Sequence, residues 1–276
     1  MNNAAHIYMK QKHIYGFLAG VVIGVLGGLI GLGGAEFRLP LLIGLFAFPA
    51  LDAVILNKAI SLVVVTSALP FRASTVSWQA IADNWQVILN LLAGSLIGAW
   101  LGAGWATILR SEGLYKIIAF LLLAIACVLA GSHMVHGSGK PLLENVIALA
   151  VSGVLAGFII GIVAALLGVA GGELLIPTLV ILFGVNIKLA GSLSLAISLP
   201  TMLVSFARYS RDSSFSVLGA NRSFLFIMAA GSLCGTWIGG MLLGIVSESI
   251  LIPMLVLLLI LSAIKVWRHT LIGGAR

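Results

Sequence analysis

Charge is what this sequence has least of. Asp, Glu, Lys and Arg make up 8% of its 276 residues, against about 25% in a soluble globular domain. That leaves too little polar surface to cover a globule in water, and it excludes the soluble classes. Cysteine is nearly absent. Cys127 and Cys234 lie alone inside apolar runs, lack metal-ligand spacing and read as buried, inert thiols. The histidines His6, His13, His133, His136 and His269 lie at run ends or in loops and form no metal-ligand pattern on one helix face. No nucleophile–base arrangement and no phosphate-binding loop of the Walker type is present. A membrane-embedded enzyme therefore has no catalytic constellation to draw on, primary transport has no nucleotide-binding domain, and no cofactor or metal is implied. Met1–Lys12 is polar and lacks a small-residue cleavage site, so it does not read as a removable signal peptide.

What the sequence has is apolar length. Hydrophobic residues make up 61% and the mean hydropathy is +1.20. Runs of about 20 residues, enough to span a bilayer, fall at Ile14–Gly33, Ile55–Phe71, Trp85–Leu109 and Leu114–His133, then at Val146–Val169, Leu189–Ala207, Phe224–Val246 and Ile250–Trp267. Their length and lack of alternation favour helices over barrel strands. Two shorter runs, Phe37–Phe48 and Leu174–Val185, cannot span as upright helices and are assigned as half-helices or re-entrant segments. The net charge of +7 comes from basic residues at run ends, a topology signal rather than a nucleic-acid surface.

The two sets of runs are copies. A spacing of 137 residues, that from Gly31 to Gly168, also pairs Gly20 with Gly157, Gly24 with Gly161, Glu36 with Glu173, Pro40 with Pro177, and Ser61 with Ser198. Far downstream it pairs Gly94-Ser95 with Gly231-Ser232 and Trp100 with Trp237. One spacing over most of each half means duplication, with boundaries at 1–137 and 138–276. Internal repeats of this kind belong to secondary transporters, whose site lies between the halves near the midplane. With four spans and a re-entrant piece per half, eight spans result and both ends share the cytoplasmic side. If the first run and its short partner form one hairpin, each half crosses three times, the halves are inverted, and Arg110 and Lys116 join the cytoplasmic side. The length of the first runs favours four spans.

Each half carries one costly stretch: Gly31-Leu32-Gly33-Gly34-Ala35-Glu36-Phe37-Arg38-Leu39-Pro40, and Gly168-Val169-Ala170-Gly171-Gly172-Glu173-Leu174-Leu175-Ile176-Pro177. A glycine break deep in a membrane is tolerated where it is buried in protein or lines a polar cavity. The half-helix that follows points its free N–H groups and dipole at that cavity, which favours an anion. Gly33, Gly34, Gly171 and Gly172 are candidates for that break. Gly16, Gly20 and Gly24 are better explained by close helix packing. Glu36 and Glu173 are read in three ways: caps on the half-helices, partners of Arg38 or Lys58 in the first half, or proton carriers. Arg38 and Lys58 have no counterparts, because Leu175 and Leu195 stand in their places. Arg38 at a half-helix N-terminus complements an anion, and Lys58 reads equally as a snorkelling interface residue. Asn57, Ser61, Ser194 and Ser198 add polar groups on the next run, unless they bond their own helix. Arg208-Tyr209-Ser210-Arg211-Asp212 reads as an exposed basic loop, and Trp100 and Trp237 as packing residues.

The duplicated glycine cluster with its proline, each copy after a glycine-spaced first span, resembles the TauE/SafE family of membrane transporters over nearly the whole chain. Glu36 and Glu173 stand where an apolar residue is common in that family. The resemblance implies a small sulfur-containing or organic anion, such as sulfite or an organosulfonate, moved across the inner membrane of a bacterium. The expectation is thus an all-α polytopic membrane protein of two homologous halves, with about eight transmembrane helices and a short broken or re-entrant helix in each half. It would act as a secondary transporter in a lipid bilayer, with protons as a candidate coupling ion, and it is compatible with a homo-oligomer. A passive anion channel is the alternative.

Overall fold

The structure is a computed structural model that describes residues 3–30, 34–73, 78–132, 141–242 and 248–273. The described residues form helices and no strand. The long helices are α1 (Asn3–Ile30), α3 (Ala50–Ala73), α5 (Trp85–Ile108), α6 (Ser111–Ser132), α7 (Val146–Leu167), α9 (Ile187–Tyr209), α11 (Arg222–Leu242) and α12 (Glu248–Gly273). Among the described residues, 7 helices are long and apolar enough to cross a membrane, all of the long ones except α12. The short helices are α2 (Ala35–Gly44), α4 (Trp78–Asp83), α8 (Gly172–Phe183) and α10 (Ser216–Ala220). The 10 residues of α2 rise about 15 Å, half of a hydrocarbon core of about 30 Å.

Glycine sets the tightest packing. A β-carbon on Gly20, Gly24 or Gly28 of α1 would strike the backbone of α11 at Met228, Ser232 and Thr236, and one on Gly231, Gly235 or Gly239 would strike α1 at Phe17, Val21 and Val25. Small residues every fourth position bring the two backbones into contact. The same device joins α5 to α7, where Gly94, Gly98 and Gly102 meet Val154, Phe158 and Ile162. In both pairs the residue numbers climb together, so α1 runs parallel to α11 and α5 parallel to α7.

Each short helix turns the chain back. Phe46 and Phe48, just beyond α2, pack on Phe224 with ring centroids 4.8 and 5.5 Å apart. Lys12, near the start of α1, lies 4.6 Å from the Phe48 ring. The end of α2 has therefore returned to the face from which α1 entered. In the second half the Leu142 N–H, ahead of α7, donates to the Leu182 carbonyl near the end of α8 (3.1 Å). Both glycine breaks are hairpins.

The hairpins favour the arrangement in which the halves are inverted, with α1 and α7 still among the helices long enough to cross. Ser95 bonds Thr201 at 2.8 Å, and a β-carbon on Gly104 would lie 3.3 Å from the Arg208 side chain, so α9 runs parallel to α5 and thus to α7. Phe206 meets Phe215 at 5.1 Å, which brings the chain leading into α11 back to the end of α9, so α11 runs the other way. Corresponding helices of the two halves are oppositely directed: α1 opposes α7, and α5 opposes α11. The first runs are long enough to cross, and the chain turns back between each of them and its short helix, which a left-handed glycine precedes.

The helix directions place both ends of the described chain at one face. Lys10, Lys12, Arg110 and Lys116 lie at that face, as do Arg208, Arg211, Arg222, Lys265 and Arg268. Arg72 and Lys188 lie at the other. Cys127 and Cys234 are exposed on the outside of the bundle, which corrects the expectation of buried thiols: an apolar run has a lipid-facing side as well as a core side.

Candidate functional site

The backbone makes the site first. Gly34 precedes α2 with φ 67°, and Gly171 precedes α8 with φ 84°, a left-handed conformation that costs a residue with a β-carbon about 1–2 kcal/mol. A β-carbon on Gly34 would also lie 2.6 Å from the Ile23 carbonyl oxygen. Gly172 opens α8 and is buried. Gly33 lies outside the described residues. Further along each short helix, Pro40 and Pro177 have no N–H to give to the carbonyls of Glu36 and Glu173.

Glu36 and Glu173 are the second residues of their helices and are 1% and 6% exposed. Their carboxyl groups face each other, close enough to share a proton. None of the four oxygens has a hydrogen-bond donor among the described residues. Each carboxyl group lies by the backbone of its own residue, at the open end of its half-helix. Arg38 acts on Glu36 through its charge.

Arg38 lies two residues past Glu36, round the helix from it. It is fully buried. Its Nη1 donates to Asn57 Oδ1 (3.3 Å) and Ser61 Oγ (3.1 Å) on α3, and its Nη2 to Ser232 Oγ (3.4 Å) on α11. The planar fork thus ties α2 to helices of both halves.

Lys58 is also fully buried, which corrects the snorkelling reading. Its Nζ donates to Ala164 O (2.9 Å) and Val169 O (2.7 Å). Asn57 Nδ2 donates to Leu167 O (3.1 Å) and Ala35 O (3.0 Å), and the Tyr209 hydroxyl donates to Ala165 O (2.9 Å). Lys58, Asn57 and Tyr209 thus donate to carbonyls at and just past the end of α7, the negative end of its dipole. Tyr209, the last residue of α9, is fully buried, whereas Ser210 and Arg211 next to it are exposed. Arg208 and Arg211 lie over the Trp100 ring at 5.8 and 4.8 Å, so that ring holds cations and does more than pack.

The serines divide. Ser61 serves Arg38. Ser194 bonds Gly191 O in its own helix (2.9 Å). The Ser192 and Ser198 hydroxyls are buried without a partner among the described residues. Sequence reasoning did not select Ser232, Ser95 or Tyr209. The signal for the two serines was present, because they are equivalent positions in the duplicated Gly-Ser pair. Tyr209 gave none.

A family model described as sulfite exporter TauE/SafE matches residues 16–266. The chain belongs to the TauE/SafE family. Neither a search of curated proteins nor a search of solved structures finds a match. The match covers both glycine breaks and every site residue named above. A TauE/SafE chain with these helices is a multi-pass membrane protein of a transporter family.

Proposed function

We propose that this protein is a secondary transporter of a small anion such as sulfite or an organosulfonate. The two repeats, 1–137 and 138–276, would move against each other around the meeting point of α2 and α8. One observation carries the reading: the two half-helix N-termini converge from opposite sides on one buried cluster, with Arg38 beside them. Free N–H groups and the positive ends of two dipoles favour negative charge, and Arg38 adds a full charge with a geometry suited to oxyanions. The unpartnered Ser192 and Ser198 hydroxyls supply further donors. The excess of basic residues at the face holding the start of α1 and the end of α12 supports placing that face in the cytoplasm, with the protein in the bacterial inner membrane.

Flux of labelled sulfite and ethanesulfonate into liposomes holding the purified protein tests the reading. Saturable uptake that is accelerated by unlabelled anion inside supports a carrier. Uptake without saturation or counterflow makes the protein a channel, and no uptake of any small oxyanion removes the anion site.

A further inference from the structure

The Glu36–Glu173 pair stands where an anion attracted by α2 and α8 would go. It carries negative charge of its own, has no hydrogen-bond donor among the described residues, and is nearly sealed from water. The other titratable groups around it are few. Arg38 lies on its own helix α2, and Lys58 on α3, bonded to the end of α7. The polar residue reaching Arg38 from α11, Ser232, is uncharged, as are the buried Ser192 and Ser198 of α9. Gly31, Leu32 and Gly33 carry no titratable side chain.

Charge balance then decides what the pair does. Carboxyl groups in contact away from water hold one proton between them, because two like charges at that distance cannot both persist. With that proton bound, Arg38 on the same helix balances the remaining carboxylate charge, and an anion meets no net repulsion there. With both carboxylates ionised the cluster is negative, and a further buried negative charge is strongly disfavoured. We propose that the substrate anion and one proton cross together, with the proton held between Glu36 and Glu173, so that transport is an electroneutral anion–proton symport. This rests on the anion site proposed above and adds the coupling ion, its stoichiometry and its direction.

The test uses the full-length protein in liposomes, with ethanesulfonate as probe because its sulfonate stays ionised at any working pH. An inward ethanesulfonate gradient, with no pH gradient imposed, should acidify the lumen in step with anion uptake. A clamped membrane potential should leave the rate unchanged. Binding should strengthen as the medium is acidified, by up to about tenfold per pH unit for one linked proton. In the double variant Glu36→Gln/Glu173→Gln, whatever ethanesulfonate uptake remains should move no protons and show no pH dependence. Anion uptake with no lumen pH change, or with alkalinisation, overturns the symport while the anion site stands. No anion uptake by the wild type overturns both. Because the wild-type flux decides alone, a double variant that fails to fold does not shield the proposal.

Discussion

Lys58 Nζ lies 2.7 Å from the carbonyl oxygen of Val169, so a cation on α3 closes the end of α7 in the other half. Lys58→Met removes that donor. Ala164 O keeps the Val169 N–H at 3.0 Å, whereas Val169 O loses its partner in a buried place, at a cost of about 1–3 kcal/mol. Thermal unfolding in detergent should show Lys58→Met melting below the wild type, with Leu195→Met at the equivalent position costing less. Equal melting of the two variants would mean that the lysine is not holding the end of α7.

Neighbouring glycines on α11 should respond oppositely to one methyl group. A β-carbon on Gly239 would strike Val25 O on α1, whereas one on Gly240 would meet nothing within 4 Å. Gly239→Ala should therefore force the helices apart and cost about 1–3 kcal/mol. Gly240→Ala should be neutral, or stabilising by up to about 1 kcal/mol through helix propensity. Melting temperatures of the two variants in the same detergent settle the packing of α1 on α11, and the reverse order would refute it.

Arg38 is a fork as well as a charge. Arg38→Lys keeps the charge and loses the simultaneous contacts to Asn57, Ser61 and Ser232. Ser232→Ala removes only the longest of them, at 3.4 Å. Anion affinity should fall most in Arg38→Ala, less in Arg38→Lys, and by no more than about tenfold in Ser232→Ala, since one such bond is worth about 1.4 kcal/mol or less. Binding measured by isothermal calorimetry on well-folded variants checks the order. Wild-type affinity in Arg38→Lys would show that charge alone matters.

Much of this arrangement is written in the sequence as repetition. The constant spacing paired Glu36 with Glu173 and marked both short helices, because duplicated glycines and prolines keep their local backbone roles. It also exposed Arg38 and Lys58 as residues of one half only. Direction was not legible. Whether the chain reverses between α1 and α2 shows in the left-handed Gly34 and in aromatic contacts among Lys12, Phe48 and Phe224, which no periodicity records. The lipid-facing side of Cys127 and the burial of Tyr209 were hidden for a related reason. In an apolar run the core side and the lipid side have the same composition, and a tyrosine beside charged residues can be buried.

The central claim is that α2 and α8 enter from opposite faces and meet head to head. Single cysteines at Leu45, just beyond α2, and Ile187, just beyond α8, test it most directly, since both side chains are exposed. Cys127 and Cys234 are replaced by alanine, and a membrane-impermeant maleimide is applied to vesicles of each orientation. Leu45→Cys should label from the face at which α1 begins and Ile187→Cys from the other. Labelling of both from the same face would contradict the inverted arrangement and the shared site with it.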